Sequence, residues 1–133
     1  MLRNNSIKEL KKLLYIDDSV GDIKFKVIWD SFKVGDRVPM EGGITLIVVE
    51  KGVNQDGLRY VSLLGEMPKG SGFPKNQHSN ATEFFLCIKG LIKETVSSAK
   101  MSSGKSFTFR PRAHHGFKAL KASEFFCVMT ENK

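Results

Sequence analysis

The residues of this sequence best suited to chemistry are its three histidines, His78, His114 and His115. All three lie in turn-rich segments beside predicted strands, and Glu83 opens an apolar strand five residues after His78. Neutral imidazoles and a carboxylate from neighbouring strands could hold a divalent metal ion and leave open positions for a substrate or for oxygen. A metal site is therefore the first chemical hypothesis.

Polar residues in other predicted strands could line a pocket. Arg110 and Arg112 fall on the same side of a strand, where they stay solvated or, if that side faces a cavity, fork onto a carboxylate or phosphate. They could instead pair with Glu83 in place of a metal, because a buried carboxylate needs a partner. Tyr60 alternates with polar and apolar neighbours and is a further candidate for substrate contact.

The N-terminal region carries a clear helical pattern. Ser6 and Glu9 form a capping-box pair, and the apolar residues around them recur at helical spacing. The pattern predicts a short helix over about residues 7–15, within an N-terminal helical cap over residues 1–20. From residue 23 the apolar period changes to 2, which predicts a half-buried strand. The alternating residues of that strand are Ile23, Phe25, Val27 and Trp29.

Residues 21–133 are predicted to form a single all-β domain. Short apolar runs recur between glycine-bearing turns without a further helical pattern, which is typical of an antiparallel sandwich or barrel. A parallel α/β sheet is excluded because its crossover helices are missing. The remaining predicted strands are Ile44–Glu50, Leu58–Leu64, Glu83–Ile88, Leu91–Val96, Ser106–Phe109 and Glu124–Thr130.

Alternation within the strand that Glu83 opens separates two faces. Glu83, Phe85 and Cys87 share one face, and Phe84 and Leu86 share the other. If Glu83 points into a barrel, Phe85 lines the interior beside it and becomes a candidate for substrate contact. The outer pair then needs cover from another sheet, the N-terminal segment or a second subunit, which motivates a homodimer.

The segment around His78 resembles a known motif. Residues 70–90, GSGFPKNQHSNATEFFLCIKG, resemble the first motif of the cupin superfamily, G-x5-H-x-H-x(3,4)-E-x6-G. Gly70, Asn76, His78, Glu83 and Gly90 match its spacing, and Asn76 stands at the place of the first histidine.

A second cupin motif, G-x5-P-x-G-x2-H-x3-N, is followed more loosely. Gly104, Pro111, Ala113 and His115 trace its outline, and the Gly-Phe pair after His115 is usual there. His114 is the alternative for the histidine of this motif.

The resemblance implies a jelly-roll cupin barrel, a double-stranded β-helix, which is often a homodimer. It also implies a metal site in which His78, Glu83 and His115 are the ligands, with Asn76 as a weak oxygen ligand or a partner of bound water. Two histidines and a carboxylate suit Fe(II), and Mn, Ni or Zn are alternatives. Partial occupancy is expected because one imidazole is missing.

Two functions follow from the resemblance. The first is a small metal-dependent cupin acting on a small polar molecule, by oxygenase or isomerase chemistry. The second is a non-catalytic cupin that binds or senses a small anionic or sugar ligand. Whether the protein is an enzyme stays open, because one barrel hosts many functions.

Composition limits the alternatives. The chain has 133 residues, 41% hydrophobic and 26% charged, with a net charge of +7. The basic excess lies in residues 84–133, but its cations stand singly and lack stacked aromatics, which argues against specific nucleic-acid binding. No segment resembles a signal peptide or a membrane span, which predicts a cytoplasmic protein without membrane contact. The two cysteines, Cys87 and Cys127, are predicted to be buried thiols, with a single disulfide as the alternative.

Overall fold

The computed structural model of the chain describes residues 23–39, 42–72, 82–109 and 116–131. These residues form one helix and nine strands, and the strands are arranged in two antiparallel sheets. The helix is α1 (Ile23–Ser31), and the strands are β1 (Arg37–Pro39), β2 (Thr45–Val53), β3 (Arg59–Met67), β4 (Thr82–Lys89), β5 (Leu91–Glu94), β6 (Lys100–Ser102), β7 (Ser106–Phe109), β8 (Phe117–Ala119) and β9 (Ser123–Thr130).

The strands form two sheets that enclose a hydrophobic core. The larger sheet has the order β1-β2-β3-β9-β4-β7, and the smaller has the order β6-β5-β8. Every ladder is antiparallel, and side chains alternate between the core and the outside, as in β9, where buried and half-buried residues alternate from end to end. This arrangement confirms the predicted all-β fold and all six strands predicted from residue 44 onward. It adds the short strands β1, β6 and β8.

The predicted strand at residues 23–29 is wrong, because these residues form helix α1. The window fits both periods, since Phe25, Ile28 and Phe32 also recur at helical spacing. All three side chains are buried, each at most 1% exposed, so the helical face is the one that packs on the core. The predicted helix at residues 7–15 lies outside the described residues.

Helix α1 is held on the inner side of the larger sheet by two cations. The Lys51 ammonium donates a hydrogen bond to the carbonyl of Trp29 at 2.6 Å. The Arg59 guanidinium lies over the rings of Phe25 and Trp29, at 5.6 and 5.2 Å from their centroids, and pairs with Glu131 at 3.0 Å. These contacts hold the helix against β2 and β3.

Two further sequence expectations can be compared with the fold. Cys87 and Cys127 are both buried, as predicted, and burial raises the pKa of the Cys87 thiol. Within the described part of the chain, no helix is long and apolar enough to cross a membrane.

Candidate metal and ligand site

Four residues were predicted as metal ligands, and Glu83 is the one that lies within the described residues. It lies near the start of β4, on the inner face of the larger sheet, and is only 2% exposed. Its register neighbours are Phe109 on β7 and Met129 on β9, whose side chains cannot donate a hydrogen bond. The carboxylate is therefore set into a hydrophobic part of the barrel, where its charge must be balanced by groups outside these ladder positions.

Phe85 lies on the same inner face, two residues along β4, as alternation predicted. Its ring stacks on Phe117 of the smaller sheet, with centroids 4.1 Å apart, and on Phe125 of β9 at 4.5 Å. Phe109 meets the edge of Phe117 at 5.7 Å. Phe85 is thus a core residue that joins the two sheets, and the same aromatic stack forms the wall beside Glu83.

A glycine makes room for this stack. Gly65 of β3 pairs directly with Phe125 of β9, and a Cβ at Gly65 would overlap the Phe125 ring. The absence of a side chain lets the ring lie across the neighbouring strand. The Phe125 ring therefore fills the space on the inner face that a side chain at Gly65 would occupy.

Tyr60 lies on the outer face of the larger sheet, away from Glu83. Its neighbours along β3, Val61 and Leu63, point into the core, so Tyr60 points outward. Its ring lies over Gly52, its register partner on β2, and desolvation together with the Glu50 carboxylate raises the pKa of its phenol. The structure does not bring Tyr60 together with Glu83, so the prediction that it contacts a ligand in the barrel is not supported.

The other predicted site residues fall outside the described part of the chain. Because every histidine is among them, no group of three potential metal ligands lies together within the described residues. The predicted residues concerned are His78, His114, His115, Asn76, Arg110 and Arg112.

A second buried carboxylate, Glu94 at the end of β5, was missed by sequence reasoning. It is 3% exposed and accepts hydrogen bonds from the Ser97 hydroxyl at 2.6 Å and from the backbone N–H groups of Ser97, Val96 and Gly116 at 2.7, 3.0 and 3.2 Å. Burial alone would raise the pKa of the Glu94 carboxyl, but these hydrogen bonds outweigh it, so the pKa lies below its ordinary value.

Glu94 fixes the backbone next to the second predicted motif. Gly116 donates to the Glu94 carboxylate, and its carbonyl accepts a hydrogen bond from the Thr95 N–H at 2.8 Å. Gly116 directly follows His115 in the sequence. The only sequence signal for this role is a glutamate followed at the third position by a serine in a polar turn, which is common in many unrelated turns.

Solved structures of similar fold are numerous, whereas no protein-family model and no curated protein matches the sequence. An RmlC-like cupin from Shewanella frigidimarina superposes with a TM-score of 0.62 at 14% identity, covering 74% of this chain and 86% of that one. KdgF from a Halomonas species gives a TM-score of 0.62 at 17% identity, covering 74% and 87%. An acetylacetone dioxygenase from Acinetobacter johnsonii gives 0.58 at 15% identity, covering 74% and 70%.

The two sheets around a shared core define a β jelly roll. The similarity to these solved structures makes it a cupin fold, as the motifs at residues 70–90 and 104–117 predicted. At these identities the similarity establishes the fold alone, and chemistry has to be argued from the residues of this chain.

Proposed function

We propose that this protein is a small metal-dependent cupin that acts on a small polar molecule. His78, Glu83 and His115 would hold a divalent transition metal, with Asn76 as an oxygen donor or a partner of bound water. The observation that carries this proposal is Glu83: a carboxylate at the glutamate position of the motif, on the inner face of the barrel and 2% exposed. A bound Fe(II), Mn, Ni or Zn ion would polarise a substrate oxygen or bring substrate and O2 together.

The neighbours of Glu83 limit the substrate. Phe109 and Met129 flank it in register, and Phe85 follows it on the same face. A ligand that reaches the carboxylate from inside the barrel would contact this wall with its apolar part and the metal with its polar part. Such apolar walls suit a compact molecule, which agrees with the acetylacetone dioxygenase among the structures of similar fold.

The first test is metal content. Protein purified without a chelator or metal-affinity resin is analysed by mass spectrometry, beside a His78→Ala/His115→Ala variant and Glu83→Gln. We expect metal in the wild type and at least about a tenfold weaker retention in both variants, since the double variant removes two ligands and Glu83→Gln removes one. His114→Ala is the matched control and keeps its metal if His115 is the ligand.

The outcomes of this test are distinct. Loss of metal in His114→Ala, with metal retained in an added His115→Ala single variant, would make His114 the ligand in place of His115. No metal uptake after anaerobic titration with Fe(II), Mn(II) and Zn(II) would overturn the proposal. Oxygen consumption by the metal-loaded protein with candidate acids, thiols and sugars then tests the oxygenase version, because an isomerase consumes no oxygen.

The second candidate function is non-catalytic binding of a small anion or sugar. Asn76 favours it, because this residue stands where the first motif has a histidine and removes one imidazole from the implied metal site. Arg110 and Arg112 are the proposed anion contacts. Saturable binding without turnover in the metal-loaded protein would support this candidate over the enzyme.

We also propose that two copies associate through the outer face of the larger sheet. One row of that face runs in register across four strands and is wholly apolar: Ile47, Leu64, Phe126 and Leu86. Phe84 and Val128 extend it in the next row, and all six side chains are half-buried. A two-fold axis would bring the same row of a second copy onto it, so one patch serves both partners.

Light scattering at micromolar concentration tests the dimer. We expect a dimer for the wild type and a monomer for Phe126→Lys, which places a charge in the row. Ser102→Lys on the outer face of the smaller sheet is the control and should remain dimeric. A monomeric wild type would overturn this proposal.

A further inference from the structure

The outer face of the smaller sheet carries three lysines in one row. Lys93 of β5 pairs directly with Lys100 of β6 on one side and with Lys118 of β8 on the other. Residues directly opposite in antiparallel ladders point to the same face, and neighbouring strands are about 4.8 Å apart. Three ammonium groups are therefore rooted along a line of about 10 Å, with Lys100 and Lys118 exposed and Lys93 half-buried.

Among the described residues, no acid forms an ion pair with a lysine of this row. Like charges directly opposite in a ladder repel. The ion pairs found within the described segments involve other residues, and none includes a lysine of the row. The remaining side chains on the same face are Leu91, Ser102 and Leu120, and the nearest carboxylate along β5, Glu94, points inward and is used by its own turn.

The row is bounded by a glycine on the far side of β8. Gly72 forms a bridge with Lys118 on the far side of β8, so the fourth position of the row has no side chain. A Cβ at Gly72 would collide with the Phe117 carbonyl, which explains why a glycine stands there. The fourth position of the row therefore adds no side chain beside Lys118.

We propose that this lysine row is a binding surface for a linear polyphosphate, a flexible chain of closely spaced phosphoryl groups. Lysine ammoniums act as mobile point charges that suit phosphate oxygens without fixing one geometry. The row thus selects charge density along a line, which a polyphosphate supplies. Single-stranded nucleic acid is less well matched, because its binding surfaces combine cations with aromatic stacking platforms and this face has no aromatic side chain among its described residues.

The test is binding of a fluorescently labelled short polyphosphate, measured by anisotropy at several salt concentrations. Three phosphate contacts predict that affinity falls roughly twentyfold to fortyfold between about 50 and 200 mM salt. The variant Lys93→Ala/Lys100→Ala/Lys118→Ala should lose at least about tenfold in affinity and most of the salt dependence. It should also melt at a higher temperature than the wild type, since the repulsion within the row is removed.

A variant with the same change in net charge separates the row from the overall charge. Lys26→Ala/Lys33→Ala/Lys105→Ala removes three exposed lysines elsewhere and should bind within about twofold of the wild type. An equal loss in both triple variants would overturn the proposal in favour of net charge alone. Equal or tighter binding of single-stranded RNA through the same three lysines would overturn the assignment to polyphosphate, as would the absence of polyphosphate binding.

Discussion

The outer faces of the two sheets both place like charges side by side, but only one of them compensates these charges. On the larger sheet, Glu66 and Glu124 are register partners on β3 and β9. Each carboxylate has its own cation: Arg37 reaches Glu66 at 2.5 Å, and Lys89 reaches Glu124 at 3.2 Å. On the smaller sheet, none of the described ion pairs includes a lysine of the Lys93 row.

This difference separates charges that the fold accommodates from charges that are available to a partner. The four charged residues concerned, Arg37, Glu66, Glu124 and Lys89, have no net charge in sum, because each glutamate has its own cation. The lysine row keeps three positive charges together at a cost in stability. We expect a binding function at such a repulsive arrangement, because departures from locally stabilising residue choices are common at functional sites.

The inner faces of the two sheets also differ in the surroundings of their buried carboxylates. The smaller sheet buries Glu94, whose carboxylate receives four hydrogen bonds from its own turn and from Gly116. The larger sheet buries Glu83 between Phe109 and Met129. Both carboxylates are buried to almost the same extent. Glu94 is engaged by its own turn, whereas Glu83 stands at the glutamate position of the first predicted motif, which makes it the candidate for chemistry.

The largest expected effect is that of Glu94→Ala. The change removes one acceptor for four donors at the turn after β5, and hydrogen bonds to a charged group contribute about 1.5–3 kcal/mol each without being additive. We expect the free energy of unfolding to fall by about 3 kcal/mol or more, measured by urea denaturation. Glu94→Gln, which keeps one acceptor oxygen, should lose less. A wild-type midpoint for Glu94→Ala would contradict the structural role of this residue.

The second effect concerns the larger sheet. Gly65→Ala places a methyl group against the Phe125 ring and should disturb the stack that joins the sheets through Phe85. Overpacking of this kind costs about 1–3 kcal/mol. Phe125→Leu in the same chain should restore part of the loss, so the double variant should be more stable than the two single losses predict. Strict additivity would show that the ring and the glycine are independent.

The sequence predicted the strands well because their period of 2 survives in the burial pattern. It also predicted that Glu83 and Phe85 share one face, and the structure shows that this face is the inner one. Alternation alone could not decide whether Tyr60 lies on the inner or the outer face of β3, since both faces of this strand carry apolar residues. Helix α1 was misread because the spacing of its apolar residues satisfies two periods.

The role of Glu94 lay beyond the sequence for a different reason. One of its four donors, the Gly116 N–H, is 22 residues away along the chain and comes close only through the pairing of β5 with β8. The lysine row has the same origin, because its members come from three strands whose register no local pattern fixes. Features made by long-range register are the ones that sequence reasoning misses.

The third effect is the pH dependence that Glu94 confers. Its pKa in the folded protein lies below the ordinary value of 4.5, so its contribution to stability is fully present above that value and is lost as the pH falls through the folded pKa. The difference in free energy of unfolding between wild type and Glu94→Gln should therefore be constant at neutral pH and shrink below about pH 4.5. A difference that stays constant into acid, measured by urea denaturation at each pH, would contradict the lowered pKa.

The smallest effects concern the ion-paired glutamates of the larger sheet, Glu66 and Glu124. Lys89→Ala removes the partner of Glu124 and leaves that carboxylate facing Glu66, so we expect a loss of about 0.5–1 kcal/mol. Glu124→Gln removes the same ion pair but also the repulsion, so its effect should stay within about 0.5 kcal/mol of zero. Urea denaturation at low and high salt measures both, and the gap between the variants should narrow as salt screens the carboxylates. If Glu124→Gln costs as much as Lys89→Ala at low salt, Glu66 and Glu124 do not repel each other. The presence of ion pairs would then no longer distinguish these glutamates from the lysine row.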